Sequence, residues 1–180
     1  MRHQGWSLAP VIALAVPAPA YAALYLTSEQ ALHNAFPTAE AFAPSRIALS
    51  PAQWQAIDRE SAAPVAEREP RVWIASSAGK PLGHVYLDEV LGKQLYIKYA
   101  VAVGLEGRVQ RVDILEYRET HGYEVRNARW LAQFAGKDST SELQLGRDVK
   151  NISGATLSCR HVTAGVRRLL AIHEAQRHDR

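Results

Sequence analysis

The stretch "RVWIASSAGKPLGHVYLDEVLGKQLYIKYAVAVGLEGRVQRVDILEY", residues 71–117, decides the architecture of this chain. Four runs at 71–76, 82–90, 94–103 and 108–117 are rich in Val, Ile, Leu and Tyr, and short connections that each contain glycine separate them. Connections of this length can join only antiparallel neighbours, because parallel strands need a crossover of a dozen residues or more. The stretch therefore predicts a four-stranded antiparallel meander.

Helical signals flank the strands. Upstream, Thr27 to Gln30 ahead of Ala31, Leu32, Ala35 and Phe36 predicts a short capped helix stopped by Pro37. Ser50, Pro51 and Gln53 supply a hydroxyl cap, a proline at the first helical position and a glutamine three residues after the cap, which predicts a second short helix through Trp54 and Ile57. Residues 61–70, rich in Ala, Pro, Glu and Arg, read as a linker. Downstream, Val125, Trp130, Leu131 and Phe134 stand at helical spacing before Gly136. A polar loop, 137–147, leads to a final helix with an apolar stripe of Leu157, Val162, Val166, Leu169, Leu170 and His173. The expected fold class is α+β, a single domain in which helices pack on an antiparallel four-stranded sheet.

The chain has 180 residues, enough for one domain with a core. Residues 1–22 have the marks of a secretory signal: Arg2 near the start, an apolar run from Trp6 to Val16, prolines 17 and 19, and small residues around Tyr21. A transmembrane anchor is the competing reading, but the apolar run is shorter than a bilayer span of about 20 residues. The expected layout is thus a signal at 1–22, a helical segment and linker at 23–69, the main domain at 70–173 and a frayed tail at 174–180. Without Arg2 the balance is 20 basic against 18 acidic residues, about +2, too mild and dispersed for nucleic acid. Arg160, Arg167 and Arg168 read as a solvated helix face. Cys159 is the lone cysteine, so no internal disulfide forms. Cys159 and His161 are poor candidates for thiol catalysis, since residues two apart on a helix face different ways. The remaining histidines show no ligand spacing, so no metal site is expected, and Trp54, Trp73 and Trp130 read as core.

The segment "NISGATLSCRHV", 151–162, places Ser153, Gly154, Ala155 and Thr156 at the mouth of the last helix. A helix start exposes unpaired amides and a partial positive charge that favour anions, and small residues leave the backbone approachable. Plain hydroxyl capping explains the same pattern. "SGAT" followed by Leu157 and Ser158 resembles the flavinylation signature of the FMN-binding domain family, whose members include flavin-bearing components of the sodium-pumping NADH:quinone oxidoreductase and of the Rnf complex. "ETHGYEV", 119–125, is similar to the family's "ETPG" loop, and "FAGK", 134–137, to its "F-x-G-K". The likeness covers about residues 70–172.

The resemblance implies FMN held through a phosphoester on Thr156. It implies phosphate contacts from the 153–158 turn, with Ser153 and Ser158 as hydroxyl donors, and an isoalloxazine beside Glu119, Thr120 and Gly122. It further implies an extracytoplasmic flavin transferase that attaches the flavin, a membrane-bound electron donor, and a location in the periplasm or otherwise outside the cytoplasm, free or at the membrane. The protein would then be an exported electron-transfer flavoprotein rather than a stand-alone enzyme, with no catalytic residue of its own. A flavin-dependent reductase of a small acceptor and a cofactor-free binding module of the same fold are the alternatives. The family's proline in the 119–122 loop is His121 here, and a second departure bears on attachment. The acid that opens the signature is Lys150 here, with Asp148 two residues upstream. Asp148 standing in for that acid, or a flavin bound without the ester, are the two ways the departure could be accommodated; with the ester, Lys150 could neutralise the charge that the phosphodiester keeps.

Overall fold

A computed structural model describes residues 23–178; the expected secretory signal lies outside the described residues. The sheet is fully antiparallel and larger than the meander alone. Its core is the predicted four strands, β3 (Arg71–Ser77), β4 (Lys80–Leu91), β5 (Tyr96–Gly104) and β6 (Val109–Tyr117). β2 (Ala41–Ser45) adds a fifth strand by pairing with β3, and the two-residue β1 (Ala23–Leu24) extends the opposite edge along β6. The four-strand expectation is thereby corrected to five strands and a short edge addition. β2 reads "AFAPS", whose Pro44 is compatible only with an edge position.

Strand periodicity of two sends alternate side chains to opposite faces, and both faces are covered. Val85, Leu87, Ala100 and Leu115 meet Ala31 and Leu32 of α1 (Ser28–Ala35) on one side. Tyr86, Val90, Ile97, Tyr99, Val101 and Val103 meet the other layer, built from α2 (Pro51–Ser61) and the 23-residue α4 (Thr156–His178). The capping pair read at Ser50 and Gln53 forms, and the capped helix start expected at 27–30 is also a capping box, Thr27 with Gln30. The linker is tied down, with the Leu91 amide donating to the Pro64 carbonyl at 2.8 Å and the Ala66 amide to the Glu89 carbonyl at 3.0 Å, along the part of β4 that β3 does not reach.

Four further expectations are corrected. The helix read across 125–134 is broken into a 3-10 turn (Tyr123–Arg126), a single turn α3 (Ala128–Leu131) and another 3-10 turn (Ala132–Phe134). Asn127 causes the break: its ψ of 122° is not helical, and its side chain caps the Arg129 amide. Arg168 is not part of a solvated face but fully buried. Its guanidinium donates to Asp88 at 3.1 Å and to the Arg68 carbonyl, while Tyr99 donates to the same Asp88 oxygen at 3.1 Å. Leu157 leaves the apolar stripe and stands 42% exposed. α4 also runs on to His178 rather than fraying at Glu174.

Candidate functional site

In a meander, the β4–β5 turn and the far end of β6 lie at the same end of the sheet. The mouth of α4 reaches that end too. Together they enclose a cleft of about 450 Å³, lined by Lys93 and Gln94 from the β4–β5 turn, Glu119, Thr120 and His121 from the loop after β6, and residues 154–158. That size suits a small-molecule site, for which ~300–1,000 Å³ is usual.

The walls are braced from behind. Oε1 of Glu119 accepts from the amides of Gln94 (2.5 Å) and Leu95 (2.9 Å), clamping the turn that the Gly92 amide closes onto the Leu95 carbonyl. A Cβ on Gly92 would stand 2.7 Å from that same oxygen, so glycine is what allows the clamp. Burial pushes the Glu119 carboxyl up, but these amides and the Lys93 charge outweigh it and hold it below the ordinary carboxylate value.

Gly122 stands behind the cleft with φ +87°, and a Cβ there would meet Tyr117 Oη at 2.6 Å and Ser158 Oγ at 3.3 Å. Tyr117 is buried, and burial raises the pKa of its phenol. Its single proton goes to the His121 carbonyl at 2.5 Å. The 3.1 Å contact between Tyr117 Oη and Ser158 Oγ therefore uses the serine proton. Ser158, only 5% exposed, is committed to this brace, while Thr156 is half-buried at the cleft with Oγ1 accepting from Asn151 Nδ2 at 3.0 Å.

The helix mouth is not capped by a hydroxyl. The carbonyl of Ala155 accepts from the Cys159 amide at 2.9 Å, which puts alanine, with no side-chain acceptor, at the cap position of α4. Gly154 (φ +86°) has no atom within 4 Å of where a Cβ would stand, so the approach to this turn is open. The cleft thus combines unpaired helix amides, a threonine hydroxyl, a lysine and the exposed apolar Leu157, a donor set and platform that fit a phosphorylated flavin. Ser153 is exposed and does not line the cleft.

The departure from the family signature also resolves in space. Asp148 accepts from Lys137 Nζ at 2.7 Å and from the amides of Leu143 and Gln144 at 3.1 and 2.8 Å, so it staples its own loop. Lys150 lines a neighbouring hollow with Trp130 and Gln133. Its backbone is fixed on both sides, by Trp130 Nε1 at 2.7 Å and Gln133 Oε1 at 2.9 Å. The cation lining the cleft is Lys93, which reading by motif did not single out. The antiparallel order of β4, β5 and β6 could have brought it there. Cys159 is fully buried, and burial raises its thiol pKa; His161 Nδ1 contacts the Leu91 carbonyl at 2.5 Å and ties α4 to β4. Both are structural. No helix among the described residues is long and apolar enough to cross a membrane, and none of their His, Cys, Asp and Glu residues cluster as a metal site.

No curated protein matches the chain. Residues 92–171, which supply every segment lining the cleft, match the family model of the FMN-binding domain.

Proposed function

We propose that the protein is an exported electron carrier whose FMN is joined by a phosphoester to Thr156. The observation that carries this reading is the contrast between two neighbouring hydroxyls. Thr156 opens onto the cleft at an uncapped helix mouth, whereas Ser158 has its proton tied to Tyr117. The amides at the start of α4 would hold the phosphate oxygens, with Lys93 as the nearby cation and Leu157 as an apolar surface for the ring. Bound FMN supplies reversible one- and two-electron transfer; the protein supplies binding, orientation and local charge.

A phosphodiester fixes the cofactor where a dissociable FMN would be lost by diffusion, which suits a carrier outside the cytoplasm. Attachment would fall to an extracytoplasmic flavin transferase, and electrons would come from a membrane-bound donor. The test is co-expression with such a transferase, followed by denaturing electrophoresis under flavin fluorescence. The wild-type chain and Ser158→Ala should fluoresce, and Thr156→Ala should be dark. Flavin lost only on replacing Ser158 would contradict the assignment.

A further inference from the structure

We propose that Asn151 is a positioning residue for the attachment of FMN at Thr156; this rests on the reading just given. The contact that points to it is the one side-chain hydrogen bond made to the acceptor hydroxyl among the described residues, from Asn151 Nδ2 to Thr156 Oγ1 at 3.0 Å. A threonine oxygen has one proton and two lone pairs. The amide occupies one lone pair and stops the hydroxyl from rotating freely, leaving the other lone pair for bond formation.

Asn151 is itself held in place. The residue before it is anchored through both its amide and its carbonyl, by Gln133 and Trp130, so the asparagine stands on a fixed piece of backbone. Loop 143–148 is stapled separately by Asp148, upstream of the same segment. These ties act before any flavin arrives, and preorganised geometry lowers the entropic cost of reaction.

The step balances without redox change. Thr156 Oγ1 gives its proton to a base of the transferase and forms a bond to the FMN phosphorus of a flavin dinucleotide. The anhydride P–O bond breaks, and the nucleotide monophosphate departs with the electron pair. The new diester keeps a negative charge, and an amide N–H beside it is favourable where a carboxylate would repel it.

The two roles open to Asn151, clasp or donor, separate in the near-isosteric variant Asn151→Asp. As a mere loop clasp, aspartate would serve, because the threonine hydroxyl could donate to it. As the donor to Oγ1, it would fail. Apo-protein made without transferase is incubated with purified transferase and saturating FAD, and the rate of covalent flavin incorporation is followed alongside the melting temperature. Asn151→Ala should be slower by about fivefold, the equivalent of one ordinary hydrogen bond. Asn151→Asp should be slower still, by more than about tenfold, and both should melt with the wild type. Wild-type rates in both variants would overturn the proposal, as would a rate for the aspartate variant above that of the alanine variant, or slowing matched by a fall in melting temperature. A wild-type chain that takes no flavin would instead count against the phosphoester reading itself.

Discussion

At the scale of single residues, the site depends on small side chains that let others approach. Gly122 holds a left-handed φ against Tyr117 and Ser158, so Gly122→Ala adds both backbone strain and a clash. Denaturant titration should show a loss of about 1–3 kcal/mol, with the Tyr117–Ser158 brace disturbed in the same variant. Lys93 is predicted to favour reduced, more negatively charged flavin. In flavinylated protein, Lys93→Ala should lower the midpoint potential by on the order of tens of millivolts, measured by redox titration; an unchanged potential would remove Lys93 from that role. Thr156, Gly154, Ala155 and Glu119 were legible in the sequence because they sit in short motifs. Lys93, Tyr117 and Asn151 were not, since each acts through a partner distant in the chain or through a contact visible only in three dimensions.

At the scale of elements, local chemistry was read well where it is local. The capping pair of Ser50 and Gln53 was legible because its partners lie three residues apart, and Ser50→Ala should cost about 1 kcal/mol of stability by thermal unfolding. The break at Asn127 was hidden because apolar spacing across Val125, Trp130 and Phe134 is satisfied equally by one helix or by several turns in series. β2 was hidden because an edge strand with a proline and largely exposed side chains carries no alternating pattern. The loop before α4 carries its own pH dependence. Burial pushes the Asp148 carboxyl up, but Lys137 and the loop amides prevail and hold it below the ordinary carboxylate value. A depressed folded pKa contributes stability that is present above the unfolded value of about 3.9 and lost as pH falls through the folded one. Asp148→Asn should therefore be less stable than wild type at pH 7 by about 1–3 kcal/mol, and the gap should close below about pH 4. A gap of constant size across that range would refute the assignment.

At the scale of the whole molecule, the sheet is clamped between α1 and the α2–α4 layer, and a buried ionic knot joins the latter to β4. Arg168 reaches Asp88 and the Arg68 carbonyl and lies 5.7 Å from the Trp54 ring centroid, links between segments far apart in the chain that no helical pattern foretells. Removing one partner leaves a buried charge, so Arg168→Met should cost about 3–5 kcal/mol in denaturant titration, whereas the double variant with Asp88→Asn should lose less than the two single losses combined. This frame holds the β4–β5 turn, the loop after β6 and the mouth of α4 at one end, and so sets the cleft in which Thr156 lies. The most direct measurement is intact and peptide-level mass spectrometry of the protein purified from cells that contain an active flavin transferase. One FMN phosphodiester adduct, mapped to Thr156, is expected; an unmodified Thr156 peptide from those cells, or an adduct on another residue, would refute attachment at Thr156.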